Sequence, residues 1–378
     1  MSERSFAIEC EQDRDGLLPY LINLAVNGLA RMFDANSRLF CYRMKKTDRG
    51  MMNEGLSLRY TVISLLGLHR YELQGNTSPI HVQTTLQGLF DRRQEIDNLG
   101  DLGLLLWLGA LASPQRLVQI YSEFDCKEAL RRYQEAQLGR TMELAWFLTG
   151  LSYMALATKK RVAELEPLAN QTYDLLLTNY GGKGIFGHLS AKNSVGFIRG
   201  RIGSFADQVY PIYALSKFAR IFGNKEALAI ALDCAKTICR QQGSLGQWWW
   251  HYHALTGKVI GHYPVYSVHQ DGMAPMALFA VGEATGQDFS EPIYKGLRWI
   301  MGSNELERDL TDTNDYVIWR SFYMKNLKMY YDAASSLLGL SANQKKFKNL
   351  LIKWECRPYH FGWLLYAFAG VSKESRTA

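Results

Sequence analysis

The chain has 378 residues, of which 47% are hydrophobic and 21% charged, with a formal net charge of +7. That balance excludes a disordered chain, and no apolar run reaches the roughly 18 residues that a bilayer crossing needs. The densest basic clusters, Arg43-Met44-Lys45-Lys46 and Lys345-Lys346-Phe347-Lys348, are short, which fits a solvated surface better than a nucleic-acid footprint and is compatible with an acidic substrate. The polar start, Met1-Ser2-Glu3-Arg4-Ser5, has no apolar segment behind it, so no signal peptide is expected. Six cysteines (Cys10, Cys41, Cys126, Cys234, Cys239 and Cys356) form no Cys-x-x-Cys pair and read as reduced thiols of a cytoplasmic protein.

In chain order, apolar spacing predicts a helix over 17–33, with Leu18, Leu21, Ile22, Ala25, Leu29 and Met32 on one face. After a loop, Glu54 is expected to open a second helix through Leu58, Val62, Leu65, Leu66 and Leu68. Helices follow over 80–96 and 101–112, 115–136 and 142–157, and 160–179 and 207–222. The next, 225–241, begins after Gly223-Asn224, a stop signal followed by an N-cap residue. Its partner, 271–285, ends at Gly286. Helices over 290–302, about 316–338, 342–354 and 358–370 complete the pattern.

Members of each pair alternate in character. One is amphipathic, as in 160–179 or 225–241; the other is apolar almost all round, as in 101–112, 142–157 or 271–285. A helix apolar on every side must be surrounded by protein. Amphipathic helices outside apolar ones make a double ring: an all-α fold, an α/α toroid of six or seven hairpins filling residues 1–378 as one domain. Short β-hairpins are allowed in the loops 184–203 and 247–269, and no longer strand-turn-strand is expected.

One stretch recurs 64 residues later, Gly182 falling on Gly246, Phe186 on Trp250, Asp207 on Asp271 and Pro211 on Pro275. In a ring of stacked hairpins every inner helix starts at the same end, and the expected starts are acidic: Glu54, Asp101, Glu143, Asp207 and Asp271. Capping accounts for such acids one by one, each worth roughly 0.3–1 kcal/mol. The functional alternative is that the carboxylates face a central cleft, where burial separates their pKa values into a general acid and a general base.

The loops ahead of these acids carry aromatic residues, whose faces suit sugar rings or hydrocarbons. Trp248, Trp249 and Trp250 precede Asp271, with Tyr263 and Tyr266 nearer to it. The window from Tyr263 to Asp271, holding Tyr266, His269 and Gln270, is the densest in groups able to hydrogen-bond or move a proton. Asp271 is therefore the leading catalytic candidate and Asp207 the second, with His269 and Tyr266 as proton-transfer groups. Trp248, Trp249, Trp250, Tyr263, Gln270, Glu54 and Glu143 are the substrate-binding candidates. Arg199 and Arg201, in the Gly-rich approach to Asp207, either clamp a carboxylate or phosphate or are loop surface charges. His251, His253, His262 and His269 lie close together, but no His-Glu-x-x-His or Cys pair supports them, so no metal is expected. No phosphate-cradling Gly loop or Gly-x-Ser-x-Gly elbow is present, and no cofactor is expected.

The run from Gln242 through Gly246-Gln247-Trp248 to Asp271, Ala274-Pro275-Met276-Ala277-Leu278 and Gly286 resembles the repeat of six-hairpin glycosidases, particularly those of the unsaturated glucuronyl hydrolase type. That resemblance implies an α/α toroid with catalytic acids at inner-helix starts, here Asp207 and Asp271. Gln242, Gly246 and Trp248 also resemble one copy of the Gln-x-x-x-Gly-x-Trp repeat of terpenoid cyclases and protein prenyltransferases, without their Asp-x-Asp-Asp motif. The expected function is a carbohydrate-active enzyme, most simply a glycoside hydrolase, with lyase or epimerase chemistry open, on an acidic or neutral saccharide. The alternatives are a terpenoid-cyclase-like enzyme with an apolar aromatic cavity, and a non-catalytic toroid for binding or assembly. The expected partner is a small-molecule or oligosaccharide substrate, with no nucleic acid and no membrane; oligomeric state stays open.

Overall fold

A helix without a polar face persists in water only where other elements cover it. In the computed structural model, six such helices cover one another. The structure describes residues 3–136, 138–158, 162–190, 199–324 and 349–370, the side chains of 3–15, 162 and 199 excepted. Its helices are α1 (Glu3–Met32), α2 (Leu58–Leu73), α3 (Val82–Asp91), α4 (Leu99–Ala112), α5 (Pro114–Ile120), α6 (Cys126–Glu135), α7 (Thr141–Ala157), α8 (Val162–Leu177), α9 (Ala206–Phe222), α10 (Lys225–Arg240), α11 (Ala274–Thr285), α12 (Ser290–Ile300) and α13 (Pro358–Phe368).

The inner helices α2, α4, α7, α9, α11 and α13 each pack on the next, and α13 returns to pack on α2. Outside them, α1 covers α13, α3 bridges α2 and α4, and α6 lies on α4; α8 lies on α7, α10 bridges α9 and α11, and α12 lies on α11. The ring is an α/α toroid of six hairpins. Local signals account for its helix ends. Ser57 accepts a hydrogen bond from Tyr60 N–H at the start of α2, Asn98 from Gly100 and Asp101 N–H at the start of α4, and Asn224 from Ala227 N–H at the start of α10. Gly223 and Gly286, with φ of +74° and +71°, end α9 and α11 in the left-handed conformation that glycine adopts without strain.

The strands are β1 (Phe33–Asp34), β2 (Leu39–Thr47), β3 (Gly50–Ser57), β4 (Ile202–Ser204), β5 (His251–His253), β6 (Val259–Gly261), β7 (Val265–Tyr266), β8 (Thr311–Asp312), β9 (Val317–Ile318), β10 (Ser321–Met324), β11 (Leu350–Lys353) and β12 (Glu355–Cys356). Three expectations are corrected here. The first is that Glu54 does not open a helix. It lies in β3, which forms a long antiparallel hairpin with β2, and α2 starts only at Leu58. The second concerns 316–338: its described part holds β9 and β10, not a helix, and 342–354 holds β11 where described. The rest of both windows lies outside the described residues. The third is 115–136, which breaks into α5 and α6 at Asp125, a residue with φ of +35°. The loops 184–203 and 247–269 do carry short strands. β5 and β6 form a hairpin and β4 joins its edge, with Ser204 opposite His251, so the two loops lie in one sheet.

The register of the repeat also needs correction. Phe186 N–H donates to Gln208 Oε1 (2.8 Å), and Trp248 N–H to Gln270 Oε1 (3.4 Å). Gln208 Nε2 donates to Ser204 O (2.9 Å), and Gln270 Nε2 to Tyr266 O (3.1 Å). Gly181 N–H reaches Ile185 O, as Gly243 N–H reaches Gln247 O. From 186 to 248 and from 208 to 270 the step is 62 residues, not 64. The counterpart of Asp207 is therefore His269. Asp271 lies two residues further on, inside a wide i→i+5 turn over His269–Met273 in which Ala274 N–H bonds His269 O.

Inner helices meet backbone to backbone at glycines. A Cβ on Gly103 of α4 would lie 2.4 Å from Cα of Phe147 on α7, and one on Gly150 of α7 would lie 2.3 Å from the Gly103 carbonyl oxygen. A Cβ on Gly67 of α2 would lie 2.2 Å from the carbonyl oxygen of Gly362 on α13. Gly103→Ala is therefore expected to lower the unfolding free energy by about 1–3 kcal/mol. Gly88→Ala on α3, where a Cβ meets nothing within 4 Å, should leave it unchanged or raise it by up to about 1 kcal/mol. Urea titrations check this; equal midpoints for the two variants would contradict the close helix approach.

Candidate active site at the ring mouth

Each inner helix is entered from an outer one, so all six start at the same end of the ring. Their N-termini bring free N–H groups and the positive ends of six helix dipoles together. Acids and hydrogen-bond acceptors are the natural complement, and four carboxylates there are held by identifiable partners.

Glu143, in the first turn of α7, is buried and accepts from Asn98 Nδ2 (2.8 Å), Tyr133 Oη (2.8 Å) and Arg140 Nη1 (2.9 Å). Asp207, in the first turn of α9, is 1% exposed. Its Oδ2 accepts from Ser204 N–H (2.8 Å) and Oγ–H (2.7 Å), and His188 Nδ1 lies 3.3 and 3.2 Å from its two oxygens. Asp271 is wholly buried, with both oxygens 2.7 Å from Nε2 of His360 on α13; burial raises its pKa, and the imidazole opposes that rise. Glu355, also buried, faces three guanidinium groups: Arg43 (3.1 Å), Arg357 (3.3 Å) and Arg320. Burial alone would raise the Glu355 pKa, but Arg320 and Arg357 hold it below the usual carboxylate value.

Asp101, in the first turn of α4, differs from these. Its side chain is 21% exposed and meets Arg59 of α2 in a two-pronged pair, Nε–Oδ1 2.5 Å and Nη2–Oδ2 3.1 Å. Burial raises its pKa, with Arg59 opposing and the Glu143 charge adding to the rise. The Arg59 guanidinium lies 5.4 Å from the Trp146 ring, which meets Tyr210 at 4.9 Å, and Tyr210 meets Trp363 at 5.8 Å.

Aromatic rings stand beside the charges. Tyr42, 42% exposed, stacks on Tyr60 at 5.5 Å, and Tyr60 meets Tyr359 at 4.7 Å. The Arg357 guanidinium covers Tyr42 at 4.5 Å and donates to Tyr60 Oη at 2.8 Å. Across α11, Trp250 meets Tyr266 at 4.9 Å and lies parallel to His269 at 5.9 Å, while Arg320 sits 5.1 Å from Tyr266.

The expected site residues separate on this geometry. Trp250, Tyr266, His269 and Gln270 come together around the start of the α11 segment. His269 and Gln270 are buried, and burial pushes the His269 imidazole down to about 3. Trp248 and Trp249 are buried in the core. Tyr263 is buried, and its hydroxyl bonds Glu305, which also accepts from Trp299 Nε1. Glu54 pairs with Arg43 at 2.6 Å on the β2–β3 hairpin. Arg201 is half-buried beside β4; the side chain of Arg199 lies outside the described residues. Among the described residues no group of three or more His, Cys, Asp or Glu is arranged to hold a metal ion. His188, Arg59, Arg320, Arg357 and His360 escaped sequence reasoning. Arg357-Pro358, directly ahead of an apolar helix, was the one local signal for α13 as a contributor.

No family model matches the chain, and no curated protein is similar to it in sequence. Solved structures are similar in fold. One is a possible member of the GH105 family from Salmonella enterica subsp. enterica serovar Paratyphi A, with a TM-score of 0.59 at 12% identity over 96% of this chain and 95% of that one. Another is an unsaturated glucuronyl hydrolase from Bacillus sp. GL1, described as responsible for the degradation of glycosaminoglycan, with a TM-score of 0.56 at 14% identity over 93% and 95%. A third, an unsaturated glucuronyl hydrolase specific for heparin, gives 0.55 at 14% identity over 94% and 96%. At such identities the likeness establishes the toroid fold. No described helix is long and apolar enough to cross a membrane.

Removing Glu355 would leave three arginines facing an uncharged site. Its folded-state pKa lies below the unfolded one, so its contribution is complete above the usual Glu value of about 4.3 and is lost as pH falls through the folded pKa. Glu355→Gln is expected to cost about 3 kcal/mol at neutral pH, with the gap to the parent narrowing as pH falls below about 4. Chemical denaturation at a series of pH values checks this; a gap that stays constant through the acid range would contradict it.

Proposed function

We propose that the chain is a glycoside hydrolase-like enzyme acting on a saccharide at the ring mouth. The observation that carries this reading is Asp101: a partly exposed carboxyl at an inner-helix start, with its pKa raised by burial. Burial shifts this carboxyl towards its protonated form against the pull of Arg59, the direction that a general acid for a leaving glycosidic oxygen requires. Trp250, Tyr266 and Tyr42 offer faces to sugar rings. Arg59, Arg140, Arg320 and Arg357 favour a substrate with an acidic group. Asp207 and Asp271 serve from behind, through His188 and His360. The solved neighbours named as unsaturated glucuronyl hydrolases support a saccharide over a terpenoid, as do the arginines, which a hydrocarbon would have to desolvate without return.

A second reading, a saccharide-binding or assembly toroid, is favoured by the ion pairs that engage the acids. Turnover separates the two. A panel of unsaturated uronides, uronic acid oligomers and neutral oligosaccharides is to be followed by release of reducing ends. The expected outcome is turnover of an acidic member, with Asp101→Asn lowering kcat/KM about 100-fold or more and leaving the fold intact by circular dichroism. Binding of a panel member without turnover by the parent protein would establish the second reading instead.

A further inference from the structure

Arg59 is the second residue of α2 and reaches across to the first turn of α4. It meets Asp101 through one edge of its guanidinium, Nε donating to Oδ1 (2.5 Å) and Nη2 to Oδ2 (3.1 Å). A guanidinium carries five N–H groups in one plane, so it has a second edge of this kind. That edge, formed by Nη1 and the outward N–H of Nη2, bonds no acceptor among the described residues. The Arg59 side chain is 33% exposed and that of Asp101 21%, whereas those of Glu143, Asp207, Asp271 and Glu355 are 4% exposed or less. The Arg59 guanidinium is therefore accessible and engaged on one edge only.

Other arginines of the mouth are committed differently. Arg43, Arg320 and Arg357 converge on Glu355, and Arg357 also donates to Tyr60 Oη. Arg140 holds the buried Glu143 through Nη1. Among the described arginines only Arg59 bonds Asp101. Its open edge fits a planar, singly charged acceptor with two oxygens, which is the geometry of a carboxylate such as that of a uronic acid unit. The Trp146 ring, 5.4 Å from the guanidinium, supports the arginine in place.

We propose that Arg59 is the specificity-determining residue of the saccharide reaction, taking the carboxylate of a uronic acid unit on its open edge while the other edge keeps Asp101; this rests on the glycoside hydrolase reading above. The arrangement ties recognition to the acid. Burial is the largest cause of the raised Asp101 pKa; Arg59 of α2 opposes it, and Glu143 of α7 and Asp97, ahead of α4, add to it. A second carboxylate on the same guanidinium shares the positive charge that favours ionised Asp101, and it brings a further negative charge close by. Docking of an acidic unit therefore shifts Asp101 towards its protonated form, in which it donates to the leaving oxygen. A neutral unit leaves Asp101 as it stands in the free protein.

The test uses the full chain and compares the best acidic member of the panel with its methyl ester. The parent is expected to prefer the acid by about 10- to 100-fold in kcat/KM, the range of hydrogen bonds to a charged group. Arg59→Gln should bring that ratio to within about threefold, and Arg59→Lys, a point charge without the planar fork, should keep part of it. Both variants should retain the parent fold by circular dichroism. A merely structural Arg59 would lower the rates on acid and ester together and leave the ratio unchanged. Carbon-13 NMR of the Asp carboxyls gives a readout that needs no turnover, with Asp101 assigned from Asp101→Asn. Saturating sodium glucuronate should raise the Asp101 pKa in the parent, glucose should not, and neither should move it in Arg59→Gln. A parent that turns over only neutral members, or acid and ester equally, would overturn the assignment while leaving the saccharide reading in place. So would an unchanged ratio in Arg59→Gln, or an Asp101 pKa indifferent to glucuronate. A parent protein that turns over no member of the panel would overturn the saccharide reading, and the assignment with it.

Discussion

The close approach of inner helices at glycines is the constraint on which the rest of the structure depends. Gly103 and Gly150 let α4 and α7 touch along their backbones, and Gly67 and Gly362 do the same for α2 and α13. Side chains at these points would push the helices apart, and a wider ring would leave a void that its apolar side chains could not fill at protein density. Close approach keeps the ring narrow, so it gathers six helix starts into one small area. The mouth is a consequence of how tightly the ring is packed.

Gathering six helix starts has an electrostatic cost that the chain answers residue by residue. The concentrated positive dipoles favour acids, and each inner helix except α2 and α13 carries one at or near its start. The arginines that also converge there would repel one another without those acids. Glu355 holds three of them together from α13 and its flanking strands, while Arg59 and Arg140 are each paired with an acid of a neighbouring or the same helix. The result is a set of carboxylates unlike one another. Four are buried against specific donors, and Asp101 retains access to solvent together with a raised pKa. Differentiation by environment, from one residue type, is what acid-base chemistry requires.

The two adjacent hairpins that end in α9 and α11 show how one plan yields different chemistry. Both use a glutamine, Gln208 or Gln270, to tie the aromatic loop to the start of the inner helix. In the first, the residue before the glutamine is Asp207, which engages a half-exposed histidine. In the second it is His269, buried against Trp250, and the acid is displaced to Asp271 in the wide turn, where it meets His360 from α13. Matching by residue identity aligned the two aspartates; matching by hydrogen bonds aligns an aspartate with a histidine.

The sequence by itself determined the toroid. The alternation of amphipathic and all-apolar helices, the caps at Asn224, Gly223 and Gly286, and the acids at Asp101, Glu143 and Asp207 are local patterns, and local patterns are written in neighbouring residues. It also pointed to the window around Tyr266 and His269. The tertiary structure alone decided the rest. The β2–β3 hairpin that carries Glu54 is joined through β2 to the distant strand β12, and the strand at 321–324 is paired with segments far along the chain. The partners Arg59, His188, Arg320 and His360 lie between 19 and 89 positions from the acids they serve, and Arg43 lies 312 from Glu355. No spacing rule connects such pairs, because their proximity follows from ring closure and not from the chain between them. Which carboxylate is buried and which remains accessible depends on that closure too, so the acids were legible in the sequence while their differing roles were not.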